Sequence, residues 1–161
     1  MSTLEVKAIQ APTGYDLQMP TGHIIQFKSA YIESSVSSTS TDWQATGLEI
    51  DITPKFASSK IYVSLQGGGA YNSNTASVTQ YVTIYRGSTN LGASDDGLSR
   101  FSTPGGSWSL APHSASVFDS PSTTSQITYQ VYYKRAGTSD TIYFSHTDRG
   151  RPTLTVMEVA Q

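Results

Sequence analysis

Apolar and polar residues alternate with a period of two along most of the chain from Ile24 onward. This is the period of a strand with one buried face. In "TGLEIDITP", Leu48, Ile50 and Ile52 fall on one side, Glu49, Asp51 and Thr53 on the other, and Pro54 ends the run. "KIYVSLQ" places Ile61, Val63 and Leu65 inward. "SVTQYVTIYRG" sets Val78, Val82 and Ile84 against Tyr81 and Tyr85, and "QITYQVYYK" aligns Ile127, Tyr129, Val131 and Tyr133. "HIIQFKSAYIE" can put Ile25, Phe27 and Tyr31 on one face. "TIYFSH" contributes Ile142 and Phe144, and "PTLTVMEVA" closes with Leu154 and Val156 against Met157 and Val159. No long window carries a period of 3.6, so the pattern predicts almost no helix.

Between these runs lie "ASSK", "QGGGAYNSN", "RGSTN", "ASDDG", "TPGG", "DSPSTTS", "AGTSD" and "DRGRP", most of them rich in the residues that tight turns require. Many short strands with such breaks predict an all-β fold, a single jelly-roll β-sandwich. An up-and-down barrel fits less well, because the spacing is uneven and connections such as 91–115 are long. There is no internal repeat, heptad pattern or linker. Residues 1–22, "MSTLEVKAIQAPTGYDLQMPTG", read differently. Pro12, Gly14, Pro20 and Gly22 interrupt any regular element, and Leu4, Val6 and Ile9 are apolar but sparse. The segment is either an extended arm that takes its order from a partner surface, reaching at most about 70 Å, or a frayed terminus. The expected division is an extended N-terminal arm over 1–22 and a jelly-roll domain over 23–161.

A chain of 161 residues suits one domain able to bury about 70 % of its unfolded surface. Without cysteine there is no disulfide, thiolate metal site or cysteine nucleophile. A net charge of −2 with 14 % charged residues is poor ground for nucleic acid or an anionic membrane. The opening residues lack a secretory signal pattern, and no apolar run approaches the ~20 residues of a membrane span.

The residues offer little chemistry. His23, His113 and His146 stand at no metal-ligand spacing. Ser94 to Gly97, "SDDG", lacks the alternating oxygen ligands of a calcium loop and reads as a turn. Gln66 to Ser73, "QGGGAYNS", has no following Lys-Ser/Thr and no helix, so it is no phosphate cradle. Its glycines instead permit a bend or the close approach of another chain. No serine lies in a Gly-x-Ser-x-Gly elbow. Asp42, Glu49, Asp51, Asp95, Asp96 and Asp119 offer carboxylates, but nothing selects a pair for glycoside hydrolysis. Arg149 and Arg151 near Asp148 make an ionic lock, an anion contact or a solvated loop. The expectation is a protein without catalytic residues, metal or cofactor.

The tyrosines ask for another explanation. Tyr62, Tyr81, Tyr85 and Tyr132 fall on outward positions, while Tyr129 and Tyr133 fall inward. An exposed tyrosine row offers apolar area with a polar tip, suited to an interface. Tyr81, Tyr85 and Tyr132 are therefore candidate oligomer contacts; the alternative is plain β-propensity with cross-strand pairing. The stretches 66–77 and 91–116 read as long polar loops carrying Tyr71, Phe101 and Trp108, candidate receptor or partner contacts.

The segments "GHIIQF", "TGLEIDITPKFASSKIYV", "FDSPSTTSQITYQVYYK" and "PTLTVMEVAQ" resemble a module of virion proteins of tailed phages, especially phages of cyanobacteria and marine bacteria. The opening "MSTLEVKAIQ" is similar to the start of such proteins. The resemblance covers about residues 1–65 and 118–161, and residues 66–117 match less clearly. It implies a jelly roll similar to tumour-necrosis-factor-like and complement-type trimers, with the first and last strands adjacent and apolar and aromatic residues lining the trimer axis. Two roles follow as expectations. The first is a capsid decoration or cement protein on the virion, made in the host bacterial cytoplasm. As a homotrimer it would bind the major capsid protein, with Leu4, Val6, Ile9, Tyr15 and Leu17 of the arm touching the shell. The shortness of the segment before the first strand favours it. The alternative is a tail-fibre tip that binds other tail proteins and recognises a host-surface glycan through Tyr71, Phe101 and Trp108. A glycan-degrading enzyme is a third class, and it lacks nameable carboxylates.

Overall fold

The alternating runs become strands in a computed structural model that describes residues 20–72, 78–103, 109–137 and 141–161. In chain order these are β1 (Ile24–Tyr31), β2 (Val36–Ser38), β3 (Gln44–Ile52), β4 (Lys60–Asn72), β5 (Val78–Arg86), β6 (Thr89–Asn90), β7 (Ser99–Thr103), β8 (Ser109–Asp119), β9 (Ile127–Gly137), β10 (Ile142–Ser145) and β11 (Pro152–Val159). No helix occurs among the described residues.

The strands form two antiparallel sheets. One runs β1-β11-β4, with β8 along the far edge of β4 and the short β10 and β2 continuing beyond the start of β11. The other runs β3-β9-β5, with β7 and β6 sharing the far edge of β5. Among the longer strands, the first pairs with the last (β1 with β11). Moving inward, β3 pairs with β9, β4 with β8 and β5 with β7. A folded-over hairpin wrapped in this order is a jelly roll. The adjacent first and last strands follow directly.

Because side chains alternate, each strand delivers one face to the layer between the sheets. Leu48, Ile50 and Ile52 of β3 meet Ile61, Val63 and Leu65 of β4 and Leu154 and Val156 of β11 there. Tyr129 and Tyr133 are buried in the same layer. The Tyr133 ring lies 5.8 Å from that of Phe144. The Tyr129 hydroxyl donates to Asp119 Oδ2 at 2.6 Å, and Arg86 Nη1 donates to both oxygens of that carboxylate at 2.8 and 2.9 Å. The buried Tyr tip is thus satisfied, as a phenol inside a core requires. Burial and the Asp119 hydrogen bond push the Tyr129 phenol far above its ordinary pKa.

Glu158 faces the same layer and is fully buried. Its Oε1 accepts from the backbone N–H groups of Lys55 and Phe56 at 2.8 and 3.3 Å, and its Oε2 accepts from Gln26 Nε2 at 2.5 Å. One carboxylate therefore ties the β3–β4 connection to β1 and β11.

Two sequence expectations need correction. The described residues of 66–77 and 91–116 are in good part strand rather than loop: β4 continues to Asn72, and β7 and most of β8 lie in the second stretch. Tyr71 therefore sits in β4, its backbone opposite Leu110 and Tyr143. Phe101 sits in β7 opposite Gln80 and is half-buried. The glycines of "QGGG" make a β-bulge within β4 between Gly67 and Ala70. Gly67 and Gly68 take φ of +79° and +65°, and a Cβ on Gly68 would stand 2.9 Å from the Pro152 ring. The close approach they permit is to the chain's own β11.

Candidate assembly surface

The outer face of the β1-β11-β4-β8 sheet holds the largest exposed apolar residues. Phe27 pairs with Met157, Met157 with Tyr62, and Tyr62 with Phe118. One continuous row thus crosses all four strands. Its two ends, Phe27 and Phe118, are 58 % and 63 % exposed. The Tyr62 and Phe118 ring centroids are 4.9 Å apart, tilted by 47°. Beside this row, Ile24 pairs with Val159, and Val159 with Lys60. On the other side follow Ser29, Thr155, Ser64 and Ser116, then Tyr31, Thr153, Gln66 and Ser114. Lys60 is the one charged residue in these rows. The Tyr31 end is bordered by Arg151, whose guanidinium stands 5.6 Å from that ring and bonds Glu33 at 3.0 Å.

The described chain enters beside this row. Gly22 N–H donates to Ala160 C=O at 2.9 Å, and Ala160 N–H donates to His23 C=O at 2.9 Å.

The opposite outer face carries the tyrosines that the sequence singled out. The Tyr85 and Tyr132 ring centroids are 4.2 Å apart, tilted by 37°, and desolvation, followed by the charge interaction with Tyr132, raises the Tyr85 pKa. Lys134 Nζ lies 4.7 Å from the Trp43 ring and 5.6 Å from that of Tyr81. The fold brings Tyr81, Tyr85 and Tyr132 to one face and half-buries all three. The turn after β6 lies on the same face, against Thr83 and Trp43: Trp43 Nε1 donates to Ser94 C=O at 3.1 Å, and a Cβ on Gly97 would meet Trp43 at 2.8 Å and Thr83 at 3.0 Å. The bare apolar area is on the other sheet.

Leu4, Val6, Ile9, Tyr15, Leu17 and Trp108 lie outside the described residues. The sequence reading missed Phe27, Met157 and Phe118 as surface residues that act together. Their individual signal was a large apolar residue next to a polar one, which does not tell inside from outside; only the register of four strands aligns them.

Among the described residues no group of His, Cys, Asp or Glu stands ready to hold a metal ion, and no helix is long and apolar enough to cross a membrane. "SDDG" is a turn, closed by backbone hydrogen bonds between Ala93 and Gly97.

No protein-family model matches the chain, and no curated protein matches it. Among solved structures it is similar to the VP2 subviral particle of infectious bursal disease virus, at 13 % identity and a TM-score of 0.42, over 97 % of this chain and 43 % of that one. The T13 particle of the same virus gives 11 % identity and a TM-score of 0.39, over 97 % of this chain and 40 % of the other. The chain spans less than half the length of either. The jelly-roll assignment rests on the strand pairing itself.

Proposed function

We propose that this chain is a structural protein of a phage virion, a capsid decoration protein that associates with its own copies through the outer face of the β1-β11-β4-β8 sheet. The observation that carries this reading is the Phe27–Met157–Tyr62–Phe118 row on a face with one charge. Exposed apolar area rimmed by polar residues suits a partner of the same kind, and charge depletion is the mark of an interface core. Eight residues of β1 and four strands give a face of roughly 20 by 26 Å. Side-chain relief brings that to the order of the ~800 Å² per partner of a stable interface. A homotrimer is the assembly that the resemblance to phage virion modules implies, and residues 1–22 are its capsid-gripping arms. Three tethered arms would gain avidity on a shell of repeated subunits.

The alternative, a tail-fibre tip, is favoured by Leu110, which is 53 % exposed and pairs with Tyr71 at the far end of β4. Gold-labelled antibody on intact virions separates the two. Label over the head supports decoration, and label confined to the tail or fibre ends overturns it.

A further inference from the structure

On one flank of the sandwich the edge strands of the two sheets run beside each other. Among the described residues β1 pairs with β11 alone and β3 with β9 alone. An uncovered strand edge is a template on which another chain can add a strand. The direction of the β3 backbone follows from its partner. Thr128 of β9 stands opposite Asp51, yet the Thr128 C=O accepts from Gly87 N–H at 3.0 Å on the β5 side. Opposed residues of an antiparallel pair either exchange both backbone bonds or both point away. Asp51 therefore turns its N–H and C=O to the free edge. Glu49, opposite Gln130 and two residues earlier, does the same.

Side chains of the other sheet occupy this edge. Lys28 Nζ donates to Asp51 C=O at 2.7 Å, and Gln26 Nε2 donates to Thr53 C=O at 2.8 Å. Both come from inward positions of β1, where Lys28 pairs with the buried Val156 and Gln26 with the buried Glu158. Glu158 continues the series: its Oε1 takes the N–H groups of Lys55 and Phe56, and its Oε2 holds Gln26. Backbone groups of Asp51, Thr53, Lys55 and Phe56 are thus satisfied one after another by side chains, where a neighbouring strand would otherwise bond them. Lys28 forms no salt bridge with a described carboxylate; its ammonium is spent on the backbone. A guest strand would have to break this charge-assisted bond and leave the cation beneath it.

We propose that Gln26, Lys28 and Glu158 form a stop against strand addition on this flank, so that a second copy of the chain cannot extend the sheet at β3 and association is left to the sheet faces. An inward-pointing charge on an edge strand is a known way to blunt it. The proposal goes beyond the assembly role given to the outer face and does not depend on it.

The test uses the full chain carrying Phe27→Asp, which disables the apolar row, with Gln26→Ala and Lys28→Ala added. Circular dichroism should still show the folded strands. Relative to Phe27→Asp alone, light scattering should rise with concentration, and the low-frequency amide I infrared band of intermolecular strands should appear. Adding Glu49→Pro removes one outward N–H and no bond to β9, a change that an edge strand tolerates, so it should abolish both signals. If the Gln26 and Lys28 changes leave association as it is in Phe27→Asp, the proposal is overturned. Association that survives Glu49→Pro also overturns it, because it then arises elsewhere than at the β3 edge. A parent chain that is itself monomeric contradicts the role of the outer face and leaves this comparison intact.

Discussion

Phe118 and Asp119 are neighbours in β8 that face opposite ways: the Phe118 ring stands outside against Tyr62, and the Asp119 carboxylate is buried between Arg86 and Tyr129. At this end the strand is inverted relative to the usual distribution of apolar and charged residues, although Ala115 and Val117 of the same strand face the core in the ordinary way. Asp119 is tolerated inside because partners from β5 and β9 satisfy it, and Phe118 stands outside because it continues a row begun three strands away.

The buried half of that relationship sets a stability prediction. Asp119→Ala leaves Arg86 without its bidentate partner and the Tyr129 hydroxyl without an acceptor. Loss of roughly 3 kcal/mol is expected, since breaking a buried pair from one side strands the other charge. Tyr129→Phe leaves the ion pair in place and loses about 2 kcal/mol. Urea unfolding of the two variants measures both, and the order Asp119→Ala worse than Tyr129→Phe is the check.

Acid sensitivity follows from His113. Its folded pKa of about 4 lies below the unfolded value of about 6.5. Between these two values the unfolded chain binds a proton that the folded chain refuses, so stability falls as pH drops from about 6.5 to about 4 and levels off below. The full contribution is about 3 kcal/mol. Urea midpoints at pH 7, 5.5 and 4 should decline across this window, and His113→Asn should flatten that part of the curve.

The β-bulge makes a steric prediction. Gly68 has a φ of +65° and a Cβ there would press on the Pro152 ring at 2.9 Å. Gly87 has a φ of +55° but open space around it. Gly68→Ala should therefore cost about 3 kcal/mol and Gly87→Ala about 1 kcal/mol. Thermal melts of the pair separate backbone conformation from collision with β11.

The arm prediction concerns assembly. Deleting residues 2–20 should leave a folded, self-associating domain that no longer binds phage heads, as read by cosedimentation with undecorated heads. Normal decoration by the truncated chain contradicts the role given to residues 1–22.

Strands β3, β4, β5, β9 and β11 were legible because Leu48, Ile50 and Ile52, or Leu154 and Val156, alternate with polar residues and point to one core. Strands β7 and β8 were not. In β8 Pro112 interrupts the run, which an outer strand tolerates, and His113 and Asp119 sit where an apolar residue is expected. The partners that satisfy these two, the Phe144 carbonyl, Arg86 and Tyr129, come from remote parts of the chain. The tyrosines Tyr81, Tyr85 and Tyr132 were correctly read as outward, yet the cover that Trp43, Lys134 and the Ser94–Gly97 turn place near them depends on tertiary contacts. The apolar row was illegible for the same reason: positions 27, 157, 62 and 118 become neighbours only when four strands take their register.

The most direct measurement of the central claim is sedimentation equilibrium of the full chain beside Phe27→Asp and Phe118→Asp. Both positions are more than half exposed, so either change leaves the core intact, and circular dichroism verifies the fold. The account predicts an oligomer, a trimer, for the unaltered chain and a folded monomer for each variant. A monomeric parent, or variants that associate as the parent does, would contradict it.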